Sequence, residues 1–368
     1  MPAHPLQRLS LVNKHWSAVA RKDLYARVFV HTEQTVRRLL RTVTEHGDLL
    51  DLIKSITVDY KYAQLPTQKK AMNKEKAARS RTSKLTWKLL LLLRPGRTVY
   101  LALDGESLRP YCDETPDDRM IPCLTGLRGL YFEDISSGID YTPWIRAAAP
   151  TLLALSIPSQ PIIVSRFNFD GLSFALKCLF IPAPGQGRNL ISAAAFKALI
   201  KSSALEDLTI NPMDNVPTSV VRAELIRAAP TLRRLQFAAP YGDIRTELVQ
   251  ALQAGLQLCT NLRILNLWLR EDGITDAFAS GIPPTVQHMI VCVESVPTFA
   301  AYSSVDATLG RVGRLILGLD LPRLETLKLS NIHLRVHPNV TLESLELPET
   351  KIHVSLGTEF PRNLPWLY

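Results

Sequence analysis

A spacing of three apolar residues, apolar-x-x-apolar-x-apolar, returns along this chain and constrains its fold more tightly than any other feature. It occurs at Leu127, Leu130, Phe132; at Leu152, Leu155, Ile157; at Leu176, Leu179, Ile181; at Leu205, Leu208, Ile210; and at Leu232, Leu235, Phe237. It continues at Leu262, Leu265, Leu267; at Val286, Met289, Val291; at Leu324, Leu327, Leu329; and at Leu342, Leu345, Leu347. An earlier copy fits Ile53, Ile56, Val58, and a blurred one lies in Val99 to Leu103. The seven steps from Leu127 to Leu324 average about 28 residues. Such a period has a physical cause. The last two apolar positions lie two apart on a short strand and point to one side, while the first turns in from the preceding loop. One unit of this kind cannot bury its face alone, so neighbours stack into a parallel sheet with a shared core.

Between the expected strands the spacing becomes helical. Phe196, Leu199 and Ile200 precede the 205 strand, Val221, Leu225 and Ala228 the 232 strand, and Leu248, Ala251, Leu252, Leu256 and Leu258 the 262 strand. Ala-Pro-Thr-Leu, at Ala149 to Leu152 and again at Ala229 to Leu232, marks helix ends, because proline disfavours helix in the residue before it. The expected fold is α/β, an irregular leucine-rich-repeat solenoid of parallel strands with return helices. A conventional α/β domain with scattered leucines shares the alternation of strands and helices, and nine aligned triplets weigh against it. Regular repeats carry asparagine three residues after the last strand leucine. Here that position holds Ile135, Gln160, Pro184, Met213, Pro240, Arg270, Glu294, Ile332 and Thr350, so irregular turns are expected. The long interval from Val286 to Leu324 leaves room for an extra helix around Val305 to Leu317.

Leu9, Val12, Trp16 and Val19 fall at helical spacing, an amphipathic helix by pattern alone. The run from Leu6 to Tyr25, with Leu9, Leu11, Val12, Lys14, Trp16, Val19, Ala20, Leu24 and Tyr25 at the matching positions, resembles the second half of an F-box. The order that follows, irregular repeats with Ala-Pro-x-Leu junctions, is similar to that of many fungal F-box proteins. The family's opening Leu-Pro-x-Glu-Leu-type helix has no counterpart in Met1 to Pro5, so the expectation is a partial F-box-like segment over 1–27 ahead of a repeat solenoid over 28–368. The resemblance implies a substrate-recognition subunit of a Skp-cullin-F-box ubiquitin ligase. Leu9, Val12 and Trp16 would meet the Skp-type adaptor, and the repeats would capture a target protein. The alternative is a leucine-rich-repeat scaffold or inhibitor without ligase association, in which residues 6–25 cap the open end of the solenoid.

Charge is unevenly placed. Residues 61–97 hold eleven of the 43 Lys and Arg but one of the 34 acids, Glu75, which leaves 32 basic and 33 acidic residues elsewhere. This basic insertion is either a nuclear-import signal, a patch for acidic partners, or a solvated helix or disordered stretch. No aromatic residue interleaves the run from Lys69 to Arg81, which argues against a nucleic-acid platform. The apolar run Leu89 to Leu93 is five residues, far short of the roughly 20 of a spanning helix, and Arg8, Lys14 and His15 interrupt any secretory h-region. A chain without membrane association, cytoplasmic and/or nuclear, is expected. The five cysteines are scattered without Cys-x-x-Cys pairs and read as reduced thiols.

No catalytic constellation, metal site or cofactor is expected. Gly185-Gln-Gly187 lacks the third glycine of a dinucleotide fingerprint, and Pro338 breaks any helix that would align His333 with His337, with His353 nearby. Asp117-Asp118 and Glu133-Asp134 read as loop acids. The binding surface is better defined. The residue between the second and third apolar positions, and the next one outward, face away from the core. Large side chains in those columns, with Ile264 beside them, give the partner-binding candidates Tyr131, Phe180, Ile264, Trp268 and Ile290.

Overall fold

The apolar triplets form strands, and within each part of the molecule the strands pair in the order in which the sequence supplies them. The computed structural model describes residues 14–58, 69–104, 118–133, 141–157, 169, 171–181, 192–201, 204–210, 216–238, 246–270, 273–294, 305–331 and 340–357. The chain divides into two units, one of residues 1–176 with 184–202 and one of residues 177–183 with 203–368.

In the first unit, α1 (Lys14–Ala26) runs directly into β1 (Arg27–Val30). There follow α2 (Glu33–Glu45), β2 (Ser55–Val58), α3 (Lys69–Leu91), β3 (Tyr100–Asp104), α4 (Ile121–Leu124), β4 (Gly129–Glu133), α5 (Thr142–Ala148), β5 (Ala154–Ser156) and α6 (Ala193–Lys201). The strands form a parallel ladder in the order β1-β2-β3-β4-β5. Its register aligns the second apolar position of every repeat, Val28 with Ile56, Leu101, Leu130 and Leu155.

The second unit contains β6 (Cys178–Phe180), β7 (Asp207–Ile210), α7 (Thr218–Ala228), β8 (Arg234–Ala238), α8 (Thr246–Leu256) and β9 (Ile264–Arg270). It continues with α9 (Asp276–Ala279), β10 (His288–Glu294), α10 (Val305–Leu317), β11 (Thr326–Ser330) and β12 (His353–Gly357). Here too the ladder is parallel and sequential, and Leu179, Leu208, Leu235, Leu265, Met289, Leu327 and Val354 stand side by side. The architecture is thus α/β, with parallel sheets and alternating helices. Strand residues of the triplet parity are buried on β1 to β11 and half-buried on β12, and Val221, Leu225, Ala228, Leu252, Leu256, Leu309, Val312 and Ile316 of the helices are buried as well. The helical periods read from the sequence largely mark the buried faces of the return helices, but on α8 Leu248 is half-buried, and Leu258, beyond the helix end, is exposed.

Three elements differ from the sequence reading. Strand β1 was hidden because its triplet is Tyr25, Val28, Val30, with an aromatic in the first place. The triplet Leu342, Leu345, Leu347 is not a strand. Glu343–Leu345 is a short 3-10 turn, and Glu346 takes the left-handed conformation at φ 49°. That turn docks on α10 instead, where two glycines allow close approach: a Cβ at Gly310 would sit 2.7 Å from the Leu345 carbonyl oxygen and one at Gly313 2.6 Å from Leu347 Cδ2. Arg314 Nη1 donates to the same Leu345 carbonyl at 3.1 Å. The strand of this repeat is β12, whose triplet begins at a lysine, Lys351. Finally, the basic segment includes α3, which occupies the return position between β2 and β3. Half of its buried face is polar, with Thr82, Ser83 and Thr86 beside Trp87, Leu89 and Leu90. Thr82 and Thr86 donate their hydroxyls to the carbonyls four residues back, Ala78 and Thr82, which removes the cost of burying them.

The missing asparagine ladder has a partial substitute at the start of three triplets, those of Leu152, Leu232 and Leu262. Thr151 Oγ1 lies 2.8 Å from the Leu127 carbonyl oxygen of the preceding repeat and 3.3 Å from that of Ala148. Thr231 repeats the arrangement on Leu205, at 2.7 Å, and Ala228, at 3.1 Å. Asn261 donates from Nδ2 to the Pro230 carbonyl at 2.7 Å. In each case a short polar side chain just before the first apolar residue stitches one repeat to the one before.

Candidate functional site

Because strand side chains alternate, the residues between the triplet positions share the opposite face of each ladder. In the second unit this face has three columns in register. The first is Cys178, Asp207, Arg234, Ile264, His288, Thr326 and His353. The second is Phe180, Thr209, Gln236, Asn266, Ile290, Lys328 and Ser355, and the third is Ala238, Trp268, Cys292, Ser330 and Gly357. Strands β9 and β10, at seven residues each, are the longest and carry the face furthest.

Four of the five candidate partner-binding residues lie on this face. Ile264 and Trp268 flank Asn266 on β9, and Ile290 is its neighbour on β10, so these three form one half-buried apolar cluster. Phe180 is on the same face three strands from β9, about 14 Å away at the usual strand spacing. Tyr131 belongs to the first unit, half-buried on β4 in the column of Phe29, Thr57, Ala102 and Ser156. Phe29 is the exposed end of that column, 46% accessible and stacked on His31 with ring centroids 6.1 Å apart.

The face is less open than an outward column implies. Asn266, Gln236 and Thr209 are buried, as are Ala238, Cys292 and Ser330, on strands only about 4.8 Å apart. Polar groups on the face are tied to one another. Asn266 Nδ2 donates to Gln236 Oε1 at 3.4 Å, His288 Nδ1 and Thr326 Oγ1 are 3.0 Å apart, and Ser330 Oγ donates to the Gly357 carbonyl at 2.6 Å. Asn266 Oδ1 has no hydrogen-bond partner.

The first column carries the charge. Asp207 and Arg234 pair at 3.6 Å, and burial pushes the Asp207 carboxyl up to about 6 although Arg234 acts to lower it. At the strand entrances Glu206 accepts from Lys177 Nζ at 2.9 Å and meets Arg233 at 3.3 Å; the Lys177 hydrogen bond, assisted by the Arg233 charge, holds its carboxyl below the usual range. Burial, with the charges of Asp207 and Glu206, pushes the Cys178 thiol up to about 12, and burial alone does the same to Cys259. Neither thiol is a nucleophile at neutral pH. Apart from Ile264, the first column was overlooked in the sequence, although the two-residue alternation that gives Gln236 and Asn266 gives Arg234 and His288 equally.

Leu9 and Val12 lie outside the described residues, while position 16 falls within α1. Gly185, Gly187, Asp117, Asp134, His333 and His337 also lie outside them; Asp118 opens a short 3-10 turn, Glu133 ends β4 and His353 begins β12. Among the described residues no group of three or more His, Cys, Asp or Glu is arranged to hold a metal ion, and no helix is long and apolar enough to cross a membrane. No family model matches the chain, and no curated protein matches it.

Proposed function

We propose that this chain is a leucine-rich-repeat protein that holds another protein on the strand face of its second unit. In this reading it is the substrate-recognition subunit of a Skp-cullin-F-box type ubiquitin ligase, without chemistry of its own. The observation that carries the repeat reading is register: the second apolar residue of each triplet pairs with its counterpart in the next, strand after strand. Ile264, Trp268 and Ile290 supply the large side chains that anchor protein interfaces, and the amides of Gln236 and Asn266 beside them supply polar specificity. The ligase assignment rests on the resemblance of Leu6 to Tyr25 to the second half of an F-box.

A pull-down with a Skp-type adaptor tests the ligase assignment. The full chain is expected to be retained and its Trp16→Ala variant lost; failure of the full chain to bind ends that assignment. One observation favours the second reading, a scaffold or inhibitor whose N-terminal helix is a cap. Helix α1 meets β1 without a linker, Ala20 is buried, and the Ala26 carbonyl accepts from the Lys54 amide at 3.0 Å. Target capture is tested by affinity purification from the source cell, followed by binding measurements with Trp268→Ala and Ile290→Ala. Each anchor is expected to weaken binding by about 2 kcal/mol.

A further inference from the structure

The basic segment plays no part in the strand face, and its helical conformation gives it a geometry of its own. At 100° per residue, positions 70, 74, 81, 84 and 88 of α3, all Lys or Arg, fall within an arc of about 80° along about 27 Å of the helix axis. The buried residues Thr82, Thr86, Leu89 and Leu90 lie on the opposite side of the helix. Arg81, Lys84 and Lys88 are exposed, Ala77 fills the remaining turn of the line, and the one acid of the helix, Glu75, falls outside the arc. The neighbouring α2 adds exposed Arg37, Arg38 and Arg41, with Glu33 held between Arg37 and Arg81.

We propose that this line on α3 is a docking site for an extended acidic segment of another protein. Cations one helical turn apart stand about 6 Å from one another, and alternate side chains of an extended peptide stand about 6.8 Å apart, so carboxylates at every second residue match the line over about eight residues. A duplex nucleic acid fits less well. The line covers about 300 Å² at one helix width, whereas single duplex-binding modules bury about 600–1,000 Å². Single strands require aromatic stacking platforms, and the one aromatic residue of the helix, Trp87, is buried. A membrane surface requires an apolar row along the whole line of cations; here Trp87, Leu89 and Leu90 are buried, and the half-buried Leu85 and Leu91 and the exposed Leu92 stand only at its C-terminal end. The site lies in the first unit and does not depend on the function proposed for the second.

The test is fluorescence anisotropy of the full chain with a labelled peptide of about eight alternating Glu and Ser residues, matched to the length of the line. It compares the double variant Lys74→Glu, Lys88→Glu with a control on α6, Lys197→Glu, Lys201→Glu, which changes net charge equally. Circular dichroism verifies that both variants fold. The expected result is binding that weakens as salt rises, is reduced at least about tenfold by the α3 variant, and is changed less than about twofold by the control. Absence of binding, equal loss in both variants, or unchanged binding in the α3 variant overturns the proposal. A short duplex that outcompetes the peptide at equal ionic strength, and loses its affinity in the α3 variant, overturns it in favour of nucleic acid.

Discussion

Both units bury an aliphatic strand layer, and they differ in what is packed against it. In the first, a connected group of rings closes the core: Trp87 of α3 stacks on Trp144 of α5 at 5.8 Å, Tyr141 meets Trp144 edge-on at 5.5 Å, and Phe132 of β4 packs against Tyr141 at 4.7 Å. In the second, the strand layer is a row of aliphatic residues of similar size, from Leu208 through Leu235, Leu265 and Met289 to Leu327, each almost inaccessible. An aromatic cluster ties several repeats through one contact group, so damage there spreads. An aliphatic ladder divides the same work into equal rungs, each dependent mainly on its two neighbours.

Substitutions separate the two designs. Trp144→Ala is expected to destabilise the first unit by about 4 kcal/mol, read by urea unfolding, with hydrogen-exchange protection lost on α3, α5 and β4 together. Leu265→Ala is expected to lower stability by about 3 kcal/mol, with exchange faster on β8, β9 and β10; a loss exceeding that of Trp144→Ala would break the comparison.

Asp207 sharpens it, because here a charged group lies in the second unit's ladder. Its carboxyl is pushed from 3.8 up to about 6, so the native state holds the proton more tightly than the unfolded chain. The resulting stabilisation is fully present below pH 3.8, fades as pH rises towards 6, and is absent above it, where the buried charge costs about 2–3 kcal/mol. Asp207→Asn is therefore expected to raise the melting temperature at pH 7 and to leave it nearly unchanged at pH 4. A lower melting temperature at pH 7 would mean that the Arg234 pair outweighs desolvation. The smallest effect is expected where the units are alike. Thr151→Val in the first and Thr231→Val in the second should each cost about 1 kcal/mol, and a marked inequality between them would show that the two stitches are not equivalent.

Much of the strand order was legible because the triplet leaves its mark twice, in spacing and in residue type. Leu127, Leu130 and Phe132 or Leu262, Leu265 and Leu267 need no tertiary information to be recognised. The return helices over Thr218–Ala228, Thr246–Leu256 and Val305–Leu317 were equally visible, since their buried residues repeat at 3.6. What escaped were an element whose buried face is half polar and a triplet whose leucines pack elsewhere than in the sheet. Half the inward face of α3 is threonine and serine, satisfied by hydroxyl bonds along the helix that composition cannot reveal. Leu345 and Leu347 have the spacing of a strand but are claimed by the glycine face of α10, a competition settled only when both elements exist. On the strand face, the columns followed from alternation, but the burial of Asn266 and Gln236, whose amides bond each other across the ladder, depends on strand pairing that spacing alone does not give.

The threonine stitches bear on how the chain reaches its fold. Thr151 binds a carbonyl 24 residues earlier and Thr231 one 26 residues earlier, so each bond closes a loop of roughly one repeat. Loop closure of that size is entropically modest, and it recurs without growing as more chain is added. A sequence wired in this way has low contact order, and assembly can begin at any adjacent pair of repeats and spread outward. On the ribosome, the repeats that begin at Leu152 and Leu232 can be fastened to their predecessors as soon as Thr151 and Thr231 have emerged.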